Sequence, residues 1–345
     1  MDTQQGLDYY RAIPKVELHR HLEGSLRLKT MSEVSRALGL GLPGTGPLGS
    51  MVQVNDQEPY TFTNFLKKFE TLRLFYRSPE IIARITREAI VDAAADNVRY
   101  MELRFTPVAL SRAENFPLRE VIGWVIEGAK QAEKVTGLHV GLIASVNRHE
   151  SPELAEEVVM LALERQKDGI VGIDLAGNEA SFSALPFAGI FQDAKKAGLH
   201  ITVHAGEWNG PANVAEAIEH LGAERIGHGI RIMEDLSIAA LAREHGTVFE
   251  VCITSNFQSG VVKTLEDHPL RRMLEAGLKV TLNSDDPSIS RITLSDEYQR
   301  AVQNLGLPVS TLRTLTMAGV QAAFLPQPER EILARYFERE FPAVS

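Results

Sequence analysis

The chain has 345 residues, 44% of them hydrophobic and 23% charged, which is ample material for a large buried core. A formal net charge of -9, with acidic and basic residues mixed along the chain, leaves no basic face for nucleic acid, and no run approaches the roughly 20 apolar residues of a membrane helix. The single cysteine, Cys252, excludes an intrachain disulfide and Cys-rich zinc ligation, and Met1 to Arg11 lacks the pattern of a signal peptide, so a cytoplasmic protein acting on a small molecule is expected.

In chain order, short β-rich segments alternate with longer amphipathic stretches. The pattern predicts strands over Val16–His21, Tyr100–Phe105, Val140–Ser145, Val171–Leu175, Ile201–His204, Arg225–His228, Val248–Cys252 and Val280–Asn283. Between them it predicts helices over Pro79–Asn97, Leu118–Thr136, Pro152–Lys167, Ala188–Ala197, Ala212–Leu221, Asp235–Glu244 and Pro269–Ala276. This repeated β-then-α order, with no Pro/Ser-rich linker, predicts an α/β fold: a single-domain TIM (β/α)8 barrel over residues 1–345. The competing doubly wound open sheet calls for a glycine-rich phosphate turn after the first strand, and none is there.

The long interval between strands one and two holds the Gly/Pro-rich stretch Gly41–Gly49 and then Tyr60-Thr61-Phe62-Thr63-Asn64-Phe65. We read about 41–77 as a helical insertion at the mouth of strand one. The aromatic spacing Phe62, Phe65, Phe69 and Phe75 is the ordinary mark of a packed helix. At a barrel mouth it also reads as an apolar lid that keeps water from a reactive site.

Within the first strand, His19 and His21 are separated by one residue, so both imidazoles project to one face, as a metal requires. Taken alone, such a pair is equally a packed or solvated one. Strand five ends in His204-Ala205-Gly206-Glu207, strand six in His228, and strand eight leads into Asp285-Asp286. Each alone has an ordinary explanation as a core histidine, a turn or a helix cap. Together they put ionisable groups from four strands at the C-terminal face, where TIM barrels assemble active sites. His139, His149, His200, His220, His245 and His268 lie before strands, on helix faces or in loops and read as structural or solvated. Glu102, Arg104 and Asp174 read as a charge network inside the barrel.

The segments P-K-V-E-L-H-R-H-L-E-G (Pro14–Gly24), D-L-A-G-N-E (Asp174–Glu179), H-A-G-E (His204–Glu207), R-I-G-H-G (Arg225–Gly229) and L-N-S-D-D-P (Leu282–Pro287) occur in order, each at its own strand end. They closely resemble the adenosine deaminase family of the amidohydrolase superfamily, over nearly the whole chain. The resemblance implies one Zn2+ per subunit held by His19, His21, His204 and Asp285. It also implies hydrolytic removal of the 6-amino group of adenosine or 2'-deoxyadenosine, giving the inosine product and ammonia. By the same resemblance Glu207 protonates the ring at N1, and the turn Ala205-Gly206 would bring it back over the metal. His228 orients the attacking water or takes its proton, Asp286 bonds N7, the Gly177 backbone contacts N3, and His21 and Glu23 face the substrate. The cysteine-ligated base deaminases carry a different signature that is absent here.

Three positions depart from the family pattern or stand out beside it. Glu23 stands where Asp usually reaches the sugar 5'-hydroxyl, Ile253 stands where Pro is usual, and Trp208 follows Glu207 at the pocket rim, where it narrows the sugar side or packs under the lid. Glu23 opens the alternative of a 5'-modified nucleoside, such as 5'-deoxyadenosine or aminodeoxyfutalosine, or of free adenine. A two-metal amide or phosphoester hydrolase is disfavoured because no Lys ends strand four. A non-catalytic binding protein on the same fold is disfavoured because every expected ligand and Glu207 and His228 are present.

Overall fold

The computed structural model describes residues 6–341, so Met1–Gln5 of the N-terminal polar stretch and residues 342–345 lie outside it. All eight predicted strands form: β1 Lys15–His21, β2 Val98–Phe105, β3 His139–Asn147, β4 Ile170–Ala176, β5 His200–Ala205, β6 Arg225–His228, β7 Val248–Val251 and β8 Lys279–Leu282. They lie in one sheet in sequence order, and every neighbouring pair is parallel. Cys252 and Asn283, expected to end strands seven and eight, lie just beyond them.

The ring closes at one bridge rather than along a full ladder. Asp285 pairs with Arg20, its N–H donating to the His19 carbonyl and its carbonyl accepting from the His21 N–H, both at 2.9 Å. Asn283 Oδ1 accepts from the Leu18 N–H at 2.9 Å. To make this bridge Asp285 adopts φ 60°, a left-handed conformation that costs a non-glycine residue roughly 1–3 kcal/mol. The residue that closes the barrel is thus also one of the ionisable groups at its mouth.

The outer helices begin where the sequence provides caps. Ser78 accepts from the Ile81 N–H ahead of Pro79–Ala95, and Ser151 from the Leu154 N–H ahead of Pro152–Glu164, each with Pro in the first turn. Asp235, predicted as the first residue of a helix, is the cap of Leu236–His245. The periodicity did not single out Leu28–Leu38, nor the helices after β8 at Leu294–Gln303, Val309–Ala322 and Gln327–Glu340. The insertion between β1 and β2 is helical, with Thr45–Val52, Phe62–Leu72 and a 3-10 turn at Arg73–Phe75. No helix among the described residues is long and apolar enough to cross a membrane.

Charge, rather than branched aliphatic side chains, fills much of the barrel interior. Arg104 donates to Glu250 Oε2 at 2.7 Å and lies 3.4 Å from Asp174. Arg225 pairs with Glu250 Oε1 at 2.6 Å and with Glu102, and its guanidinium lies 3.5 Å from the Phe324 ring centroid. Glu102 also accepts from the Tyr100 hydroxyl at 2.8 Å and the Phe324 N–H at 2.6 Å. Arg104, Asp174, Glu102 and Glu250 have no solvent exposure, so each charge persists only because it is paired. The network predicted from Glu102, Arg104 and Asp174 is present and is larger than the sequence suggested.

Breaking it at the base should be costly. Glu102→Ala leaves Arg225 half-paired and two donors without an acceptor, and is expected to lower unfolding free energy by about 3–5 kcal/mol in urea titration. Glu164→Ala, which breaks an exposed pair with Arg119, should leave the midpoint where it is. Equal midpoint shifts for the two variants would contradict a stabilising role for the interior network.

Candidate active site

At the C-terminal ends of the strands, hydrogen bonds from below fix the imidazoles. His19 Nδ1 lies 2.8 Å from Glu250 Oε2, and His204 Nδ1 lies 3.0 Å from Asp174 Oδ1. Burial alone would raise the carboxyl of Glu250, but Arg104 and Arg225 outweigh it and hold it well below the usual carboxylate range. Asp174 is likewise held down against burial, by His204 and Arg104. An ionised carboxylate only accepts hydrogen bonds, so both Nδ1 atoms carry a proton and both Nε2 atoms face the barrel mouth.

Four donor atoms converge there. Asp285 Oδ1 lies 3.2 Å from His19 Nε2 and 3.4 Å from His21 Nε2, and His21 Nε2 lies 3.3 Å from His204 Nε2. Bonds of about 2.0–2.1 Å to a tetrahedral ion set its donors about 3.3 Å apart, so the spacing suits one metal ion of that size. His19 Nε2 is buried and has no hydrogen-bond partner, which is a cost unless a cation takes its lone pair. Burial, first of all, pushes the imidazole of His21 well below its usual range, as ligation requires. Gly227 makes room for the cluster, since a Cβ on it would sit 2.9 Å from His19 Cε1.

Glu207 hangs over this cluster on the turn after β5, where Gly206 takes φ 66°. A second carboxylate shapes that turn: Glu179 accepts the backbone N–H groups of Gly206, Glu207, Trp208 and Asn209 at 2.5–2.9 Å. This is an anion nest, occupied by a side chain of the protein itself. Burial, with the negative charge of Asp285 foremost among its neighbours, drives the Glu207 carboxyl well above its usual value. His228, at φ 59°, places Nε2 3.7 Å from Glu207 Oε2 and 3.9 Å from Asp285 Oδ2.

The cavity in front has about 160 Å³ of room and touches every residue assigned to the site from sequence except His19, which forms its floor. Asp286 and Glu23 line it, both buried, each with one carboxyl oxygen lacking a partner. Burial raises both carboxyls, and Asp285 adds to the effect at Asp286. Glu23 is held by the Thr106 N–H at 2.6 Å. Gly177, at φ 90°, follows β4 on the opposite wall. Phe65 and Phe69 of the insertion also line the cavity, together with Arg73. Phe62 instead packs on Trp208, ring centroids 4.0 Å apart, and Phe75 is fully buried in the core. Trp208 therefore both lines the cavity and packs under the insertion.

Some of the site was not apparent from sequence. Asp174, read only as part of the interior network, also braces His204. Glu250 was not singled out, although its alternation with Val248 marks it as inward-facing on β7. Glu179 was noticed only as the end of a motif. Among the six histidines set aside, His149 lines the cavity, and His268 is buried with Nε2 3.2 Å from Asn256 Oδ1. Ile253, the departure after β7, is a fully buried core residue.

Comparison with known proteins follows this geometry. A profile described as adenosine deaminase matches residues 14–338. An adenosine deaminase of Serratia proteamaculans is 36% identical over 325 residues, 93% of this chain and 97% of that protein. A crystal structure of an amidohydrolase from Burkholderia ambifaria with bound zinc superposes with a TM-score of 0.89 at 26% identity, covering 97% of this chain and 92% of that one. Arabidopsis ADAL, crystallised with GMP, gives 0.87 at 30% identity, with 98% and 100% covered.

Gly24 tests how tightly the pocket carboxylates are placed, because a Cβ there would lie 1.8 Å from Asp286 Oδ1. Gly24→Ala should displace Asp286 and lower kcat/KM by about tenfold or more while metal content stays unchanged. Unimpaired turnover in that variant would show that the position of Asp286 is immaterial.

Proposed function

The chain belongs to the adenosine deaminase family, a family of metal-dependent hydrolytic deaminases, and from that premise we propose that it removes the 6-amino group of adenosine and 2'-deoxyadenosine at one zinc ion held by His19, His21, His204 and Asp285. The observation that carries the proposal is a buried Glu207, its carboxyl pushed up by burial, lining the same cavity as His21, His204 and Asp285, three of the four residues whose donor atoms converge. Zinc in such a site supplies hydroxide at neutral pH by lowering the pKa of water to about 7.

The side chains supply the rest. An amino group on an aromatic ring leaves only after C6 becomes tetrahedral, and that step builds negative charge on N1. Glu207, kept protonated by its surroundings, donates to N1, while Asp285 stays ionised beside it; one environment gives two carboxyls opposite roles. N7 accepts hydrogen bonds only, so Asp286 suits it because its carboxyl too is held in the protonated form. The Gly177 N–H meets N3, and His21 abuts the reacting face. His228 faces the attacking water from the side of Glu207. The apolar insertion side chains act as a lid that keeps bulk water from the reacting carbon.

The partnerless oxygen of Glu23 marks the sugar end and favours a substrate with a free 5'-hydroxyl. Arg73 on the same cavity is the observation that favours a 5'-substituted nucleoside as the second reading. A steady-state panel of adenosine, 2'-deoxyadenosine, 5'-deoxyadenosine, adenosine 5'-monophosphate and adenine separates them. Adenosine should have the highest kcat/KM, with 5'-deoxyadenosine lower by about tenfold or more. A clear preference for the monophosphate, for 5'-deoxyadenosine or for adenine would overturn the sugar assignment.

Two further results are expected. Glu207→Gln should lower kcat by about 10²–10⁴-fold with metal content unchanged. Because Glu207 works as an acid and its carboxyl is raised, kcat/KM should fall as pH rises through that raised value. An alkaline plateau with no such fall would remove Glu207 from the role of acid.

A further inference from the structure

The side chain behind His228 belongs to a chain of hydrogen bonds whose polarity is set at its far end. The Leu270 backbone N–H, which can only donate, points at His268 Nδ1 at 3.2 Å. His268 Nδ1 is therefore an acceptor, and the ring proton sits on Nε2, which lies 3.2 Å from Asn256 Oδ1. The Asn256 amide then presents Nδ2 to His228 Nδ1 at 3.1 Å. An amide nitrogen only donates, so His228 Nδ1 holds a lone pair and the ring proton is on Nε2. Flipping the Asn256 amide does not rescue the alternative, because His268 would then face a donor at each nitrogen and its one ring proton would have no acceptor. His268, Asn256 and His228 are at most 4% exposed, so water does not substitute for any link. Asn256 is itself fixed by its backbone carbonyl, which accepts from the N–H groups of Val261 and Val262.

We infer that Asn256 and His268 are positioning residues that lock His228 as the neutral Nε2–H tautomer, so that His228 donates a hydrogen bond to the attacking water and neither takes its proton nor binds the metal. This rests on the deaminase reading above, and it decides between the two roles open to His228. The surroundings of Nε2 agree. Nε2 faces two carboxyl oxygens, Glu207 Oε2 at 3.7 Å and Asp285 Oδ2 at 3.9 Å, too far for direct bonds and spaced to admit an oxygen between. The chain also settles a choice of ligands. His19, His228 and Asp285 offer donor atoms within 4.8 Å of one another, as do His19, His21 and His204. A protonated Nε2 removes His228 from the first group and leaves it beside the metal as a donor.

The test is a long-range proton–nitrogen NMR spectrum of the full chain with nitrogen-15-labelled histidine, recorded metal-free and zinc-loaded, with His228 and His268 assigned from His228→Ala and His268→Gln. Both rings should show a protonated Nε2 and a bare Nδ1 in each state. Asn256→Asp turns the donor facing His228 into an acceptor, so its His228 should move the proton to Nδ1. Turnover on adenosine should then drop by about tenfold or more in kcat with KM little changed, as expected for a wrong tautomer. A wild-type His228 protonated at Nδ1, or an Asn256→Asp protein with unchanged kcat, overturns the inference. The wild-type spectrum decides it even if the variant does not fold. Absence of turnover together with the expected spectrum would instead overturn the deaminase reading alone.

Discussion

The site depends on carboxylates buried beneath the barrel mouth that must stay ionised where no water reaches them. Glu250 and Asp174 each sit inside the sheet with no solvent exposure, a state that is costly for an unpaired charge. Arg104 touches both, and Arg225 takes the other oxygen of Glu250. With their charge secured, the two carboxylates hold His19 and His204 by Nδ1 and turn Nε2 outward. The interior network is thus both part of the core of the fold and the frame of the proposed metal site.

At the mouth, one concentration of negative charge has opposite consequences for neighbouring groups. Asp285 is the carboxylate in contact with imidazoles, and their proximity, that of His19 first of all, holds it well below the usual carboxylate range despite burial. At Glu207, Asp286 and Glu23 burial outweighs whatever positive charge is near and pushes each carboxyl toward the neutral form, in which a carboxyl can donate a hydrogen bond. Asp285 also closes the sheet against Arg20, in a left-handed conformation that the two backbone bonds to β1 maintain. Barrel closure, the proposed metal ligation and the negative charge that helps raise the Glu207 carboxyl therefore meet at Asp285.

Sequence and structure agree most where the signal is local. Period-two alternation placed His19 and His21 on one face, and the ionisable groups after strands five, six and eight gave the mouth of the barrel. Long-range partners are another matter. The His19–Glu250 bond joins residues 231 apart, and nothing near either residue announces the other. Asn256 and His268 escaped for the same reason, since their role exists only through His228, on a different strand. Glu179 stood out only as the end of a motif, because the four N–H groups it gathers belong to another loop. The helices after β8 fall outside the β-then-α alternation that the sequence shows, although Val309–Ala322 packs on β1 and β8.

One measurement reaches the central claim directly: strip the protein with a chelator, return zinc in steps, and follow bound metal and adenosine deamination together. Full activity should return at one equivalent of zinc per chain, and the stripped protein should be inactive yet folded. Turnover without metal, or activity that needs a second equivalent, would contradict a single ion held by His19, His21, His204 and Asp285.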